Sequence, residues 1–187
     1  MGRTAVNSPV HINVRRVISN PTVLNRCARI IRQELETLLS MRNPHVQPFT
    51  LVCGVPFGGL HVATAFSLSA NVPMIYIHPP ATDKADVIEG AYVRGQTCLI
   101  IDDLITGGGS ILQTAATLSE AGLNVRDAVT LIDRQEGGRS ALKNAGINLT
   151  SILTLEQIAN YLMSAGHIEE EWYRKTMQYI ERSRDED

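Results

Sequence analysis

The stretch Leu99–Ser110, LIIDDLITGGGS, constrains this chain more than any other. Three apolar residues read as the end of a strand. Asp102 and Asp103 follow at its carboxyl end, and beyond Thr106 three glycines lead into a helix at Ser110. Strands joined to helices in this way build parallel sheets, whose ligands bind beyond the carboxyl ends of the strands. Glycine lets backbone N–H groups converge on an anion with no Cβ in the way. The helix N-terminus adds free donors and positive partial charge. The hydroxyls of Thr106 and Ser110 supply further donors. The loop therefore suits a phosphate. The two aspartates would repel a phosphate set directly on them, but they suit an adjoining sugar, whose vicinal hydroxyls donate to carboxylates. Together the segment reads as a cradle for a ribose 5-phosphate. It is no Walker loop, because no Gly-Lys-Ser/Thr follows. It is no dinucleotide fingerprint either, because the acids precede the glycines and GxGxxG is absent.

The rest of the chain has the rhythm this reading needs. Apolar runs at Thr50–Cys53, Pro73–Ile77, Thr97–Ile101 and Ala128–Ile132, with a weak fifth at Asn148–Ile152, read as strands. Helical segments alternate with them at about Leu60–Ser69, Ser110–Ala121 and Leu155–Met163. Continuous apolar strands separated by helices predict a parallel sheet covered on both faces. Ahead of it, Pro21–Met41 reads as an amphipathic helix opened by proline. Val10–Val14 alternates as a half-buried strand would and is assigned to a small N-terminal hood over residues 1–20. Glu169–Arg182 is the C-terminal helix, and its Trp172, Tyr173, Met177 and Ile180 form a stripe able to dock on the domain or on a second subunit. One domain over 1–187 is expected, since 187 residues fit a single core.

Composition narrows the class further. Seventeen basic and 19 acidic residues give a net charge of −2, which points away from nucleic acid. No apolar run approaches the ~20 residues needed to span a bilayer. Cys27, Cys53 and Cys98 are far apart and form no CxxC pair, so a zinc site or disulfide scaffold is not expected. A reducing, cytoplasmic setting is. Only Lys84, Lys143 and Lys175 among the basic residues are lysines, which excludes any site needing several lysines together. His45 and His167 lie in polar loops and read as solvated, while His61 sits at a helix start.

LIIDDLITGGGS resembles the phosphoribosyl-diphosphate (PRPP) motif of type I phosphoribosyltransferases. Ala128–Gly138 (AVTLIDRQEGG), Gly146–Leu149, Ser151–Leu155, Ser8–Arg15 (SPVHINVR) and Val52–Pro56 resemble the orotate phosphoribosyltransferase branch. The similarity runs from about Arg3 to Met163. It implies an α/β fold with a parallel sheet, helices on both faces and a small N-terminal hood. It also implies transfer of phosphoribosyl from PRPP to orotate, giving orotidine 5′-monophosphate and pyrophosphate. Mg²⁺ would be carried mainly by PRPP oxygens and water rather than by the protein, and the assembly would be a homodimer.

Carried over residue by residue, the resemblance gives Asp102 and Asp103 the ribose hydroxyls and gives Thr106, Gly107, Gly108, Gly109 and Ser110 the 5-phosphate. Gly107 replaces the threonine or serine common in the family. Pro56, Phe57 and Gly58, within GVPFGG, would receive pyrophosphate, the alternative being an ordinary strand-to-helix turn. Gly58 stands where many members have lysine. Arg134 would pair with the orotate carboxylate, joined at the base by Thr106, Arg3, His11 and Ile12. The helix that usually precedes the hood strand is not found in the sequence. The largest departure is Ile77–Gly90, IHPPATDKADVIEG, where the family keeps an arginine–lysine pair, another lysine and a histidine on a loop closing over PRPP. Here only His78 and Lys84 are available, so Lys84 is either a substitute catalytic cation or a solvated loop residue. Two further readings stay open. One is a PRPP- or nucleotide-binding protein that works with a lid-competent relative. The other is a transferase for another base.

Overall fold

The computed structural model describes residues 8–78 and 88–185. Its centre is one six-stranded sheet made of β1 (Leu51–Gly54), β2 (Met74–Ile77), β3 (Ile88–Glu89), β4 (Cys98–Ile105), β5 (Asp127–Asp133) and β6 (Asn148–Thr154). The spatial order is β3-β2-β1-β4-β5-β6. All pairings are parallel except β2 with β3, which is antiparallel. The chain therefore builds outward from β1 on one side, returns to lay β4 against β1, and builds outward again on the other side. The β1/β4 boundary is the switch point at which α/β sheets open a ligand crevice.

Both faces of the sheet are covered, and the strands show it residue by residue. Leu51 and Cys53 of β1, with Cys98 and Ile100 of β4, pack with Ile111, Leu118 and Leu142. Those three come from α3 (Gly109–Glu120) and α4 (Gly138–Asn144). Val52, Leu99, Ile101 and Val129 point the other way, against Ala28, Ile31, Leu35, Val62 and Phe66. These belong to α1 (Pro21–Ser40) and α2 (Gly58–Ala70). Each fully buried Leu or Ile contributes about 1.5–3 kcal/mol relative to exposure. Asn20 starts α1 by accepting the Val23 N–H at 3.1 Å, with Pro21 supplying the first helical φ. Thr154 and Gln157 form a capping box at the start of α5 (Leu155–Ser164). α6 (Glu170–Asp185) packs on α5, where Tyr173 donates to Asn160 at 2.8 Å.

The expected fold class is borne out, and the differences are local. Val10–Val14 forms no strand. Ser8 Oγ donates to the Val10 carbonyl and accepts the Val10 N–H, which bends the chain around Pro9, and a 3₁₀ helix follows at Val14–Ser19. β4 does not stop before the aspartates but carries them within it, because pairing to β5 runs on to Ile105 opposite Asp133. α4 and β3 escaped the sequence reading. The seven residues of α4 bury only Gly138 and Leu142, too few to show a period. On α6, Ile180 is fully buried and Tyr173 and Met177 half-buried, but Trp172 is 51% exposed, so it is not part of the docked stripe. Cys53 and Cys98 are buried and free, as expected of small core hydrophobes. Among the described residues, no helix is long and apolar enough to cross a membrane.

Candidate active site at the switch point of the sheet

Three loops leave the carboxyl ends of β1, β4 and β5, and they converge. The first, Val55–Phe57, enters α2 at Gly58. The second, Thr106–Gly108, enters α3 at Gly109, with Gly108 as N-cap at φ +80°, a conformation that favours glycine. The third, Arg134–Gly137, enters α4. The first two flank the switch point directly. A Cβ built on Gly58 would overlap the Asp103 carboxylate, lying 2.5 Å from its Oδ1, and one on Gly59 would lie 2.8 Å from the Asp102 Cα. The two glycines thus let the start of α2 lie flat against the acidic end of β4.

Asp102 is buried and Asp103 half-exposed, and the Asp103 N–H donates to Asp102 Oδ1 at 2.8 Å. Burial first, and the neighbouring Asp103 charge second, hold the Asp102 carboxyl well above the usual carboxylate range. Opposite Asp102 on β5, the buried hydroxyl of Thr130 has no hydrogen-bond partner among the described residues. Gly107, Gly109 and Ser110 are exposed and Thr106 half-buried, so the first turn of α3, with its free backbone donors, is open to solvent. Phe57 is 65% exposed at the tip of the neighbouring loop, and His61 contacts the Phe57 carbonyl through Nδ1 at 3.1 Å. The His61 contact is one helical turn long and local to α2.

Arg134 is placed by backbone first: its N–H donates to the Ile105 carbonyl at 3.0 Å, prolonging the β4–β5 ladder. Gln135 follows at φ +60°, anchored to Asp133 and to the start of α5. The Arg134 guanidinium turns inward and is only 8% exposed. Nη2 is held by Glu136 at 2.8 Å, by Ser8 Oγ at 2.5 Å and by the Val10 carbonyl at 3.4 Å. Nε is buried and has no partner among the described residues. The segment Ser8–Val10 therefore touches the arginine, whereas His11 is exposed and Ile12 packs against the α1/α2 side of the core. Arg3 and Lys84 lie outside the described residues.

The structure thus brings Pro56–Gly58, Asp102, Asp103 and Thr106–Ser110 to one end of the sheet, with Arg134 just past the end of the neighbouring strand β5. Two residues of the arrangement escaped the sequence reading: Glu136, and Tyr179 on α6, whose hydroxyl donates to Glu136 at 2.8 Å. The DRQEGG segment held Glu136 in plain view, but only as part of a signature. Tyr179 carried no signal beyond its place on a helix. Among the described residues, no group of three or more His, Cys, Asp or Glu side chains could hold a metal ion.

Comparison with known proteins agrees with this geometry. The family described as a phosphoribosyl transferase domain matches residues 14–146. The orotate phosphoribosyltransferase of Chlamydia caviae is 40% identical over 168 residues, covering 87% of this chain and 77% of the relative. The uridine 5′-monophosphate synthase of Bos taurus is 36% identical over 96% of this chain but 36% of that protein. Among solved structures, the UMP synthase of Leishmania donovani superposes with a TM-score of 0.83 at 27% identity, over 96% of this chain and 38% of that one. The chain spans little more than a third of either synthase. On fold, crevice and sequence together, the chain belongs to the orotate phosphoribosyltransferase family.

Proposed function

We infer that this chain transfers the phosphoribosyl group of PRPP to orotate, forming orotidine 5′-monophosphate and releasing pyrophosphate. The observation that carries this reading is the juxtaposition of the Asp102–Asp103 pair with an open glycine loop at the switch point, beside a buried arginine whose Nε has no partner among the described residues. In this reading the N–H groups of Thr106–Ser110 hold the 5-phosphate. Asp102 and Asp103 accept from the ribose hydroxyls and orient the sugar while positive charge develops on it. The loop Pro56–Gly58 receives the departing pyrophosphate. Arg134 holds the base carboxylate, as a planar guanidinium suits. Thr106 completes the base site, joined in this reading by Arg3 and His11, whereas Ile12 packs against the core.

Two carboxylates beside a phosphate cradle fit Mg²⁺, which is commonly bound through one or two carboxylates, waters and substrate phosphates. Bound with PRPP, the ion would neutralise charge on the pyrophosphate, and Asp103, the more exposed of the pair, would face its water shell. Lys84 is the remaining candidate cation for the leaving group. A homodimer and a cytoplasmic location complete the proposal, the latter supported by buried thiols left free. Orotate consumption by the purified chain with PRPP and Mg²⁺ tests the reading. Turnover by the chain alone is expected. No turnover alone, with recovery on adding a relative that carries the cationic loop, would instead support a binding subunit that borrows its lid.

A further inference from the structure

We propose that Glu136 and Tyr179 are positioning residues for the base-carboxylate site, so that α6 sets the orientation of Arg134. The inference rests on the reading of Arg134 as the carboxylate-holding residue and extends it. A guanidinium binds a carboxylate well only if its plane is fixed before the ligand arrives. Here the plane is fixed from one end. Glu136 Oε1 accepts from Arg134 Nη2 at 2.8 Å and from the Tyr179 hydroxyl at 2.8 Å, so one carboxylate oxygen ties α6 to the arginine. Ser8 and Val10 take the remaining contacts of Nη2. The ion pair is shielded: the side chains of Arg134 and Glu136 are 10% and 11% exposed. Nη2 is thereby committed to the protein, which leaves the donors of Nε and Nη1 for a ligand, Nε having no partner among the described residues. Tyr179 is carried by a helix docked through Ile180, which is fully buried, and Thr176, 3% exposed. The hydroxyl therefore arrives on a rigid support.

This arrangement gives α6 a role in catalysis that does not require it to touch substrate. Tyr179→Phe keeps the ring and removes one hydrogen bond to Glu136. Glu136→Gln keeps the shape and removes the charge that aligns Arg134. Both variants are expected to raise the KM for orotate, by roughly twofold to tenfold for Tyr179→Phe and more for Glu136→Gln. The KM for PRPP and the kcat at saturating orotate should stay within twofold. Ile180→Val, which trims the docking face of α6 without touching the cluster, serves as control and should leave both KM values unchanged while lowering Tm. An orotate KM unchanged in both Tyr179→Phe and Glu136→Gln, with Arg134→Lys impaired for orotate, would overturn the positioning role alone. An orotate KM that survives Arg134→Lys as well would overturn the underlying assignment of Arg134. A parallel loss for orotate and PRPP in Tyr179→Phe, matched by Ile180→Val, would reduce α6 to a structural prop and also overturn the proposal.

Discussion

Gly138→Ala is the sharpest probe of how the site is held together. Gly138 opens α4, and its Cα faces the end of β4 where the phosphate loop begins. A Cβ at this position would overlap the Thr106 carbonyl oxygen and approach Ile105 Cγ1 and Cδ1 to 2.7 and 2.8 Å. Carbon atoms pack at about 3.5–4.0 Å, so α4 and the end of β4 must part by about 1 Å. Ile105 is 2% exposed and has little room to give way. Overpacking of this kind costs about 1–3 kcal/mol, which for a chain of this size lowers Tm by about 2–12 °C. The functional cost should be larger than the stability cost suggests. Thr106 begins the loop assigned to the 5-phosphate, and a displacement of about 1 Å in a positioning element can reduce a rate by about 100-fold. Gly146→Ala separates the two effects. Gly146 has φ +75° with nothing within 4 Å of a Cβ, so alanine strains the backbone by about 1–2 kcal/mol but displaces nothing. Thermal melting and kcat/KM for PRPP should be measured for both variants. Gly138→Ala is expected to lose both, Gly146→Ala only stability. If Gly138→Ala melts early yet keeps kcat/KM for PRPP within threefold of the parent, the coupling of α4 to the phosphate loop is wrong.

Other outcomes are equally direct. Asp102 has its folded-state pKa raised by burial and by Asp103, so its contribution favours the fold at low pH and is lost as pH rises above the ordinary carboxylate value. Asp102→Asn should therefore raise Tm at pH 7, with a gain that shrinks towards pH 4, while calorimetry on the double variant Asp102→Asn with Asp103→Asn should show PRPP binding abolished. Unchanged affinity for PRPP in the double variant Asp102→Asn with Asp103→Asn would sink the cradle assignment. Leu142 is fully buried and lies beneath Gly108, so Leu142→Ala should cost about 2–5 kcal/mol, checked by urea denaturation. Burial pushes the Cys53 thiol up to about 12 and raises Cys98 as well. Alkylation of the native protein at pH 8, read by mass spectrometry, should therefore mark the half-buried Cys27 ahead of both.

How much of this was legible in the sequence depends on the period of each segment. β1, β4 and β5 are buried on both faces and read as plain apolar runs, so their order and the position of the crevice followed from the pattern. The extension of β4 through Asp102 and Asp103 did not follow, because charged residues argue against a strand until a partner strand is known to pair with them. The alternation in Val10–Val14 was misleading for the opposite reason. The carbonyl of Val10 and the hydroxyl of Ser8 are used by Arg134, more than a hundred residues away, and no local pattern encodes that contact. The cradle is local, carried by one continuous dodecapeptide, and local sites can be read. The arginine site is assembled from an N-terminal turn, a strand end and the last helix, and only the fold unites them.

The closeness of Gly58 to Asp103 also bears on how this sequence can change. The family's lysine at that position invites a simple repair, Gly58→Lys, to return a cation to the pyrophosphate loop. In this chain the new side chain would have to start from the space that the Asp103 carboxylate fills. The repair would displace a residue of the sugar site before it supplied any charge to the leaving group, and its effect would depend on what stands at position 103. A cation at position 58 therefore arrives together with a shift of the Asp103 side chain, and the two positions change as a pair.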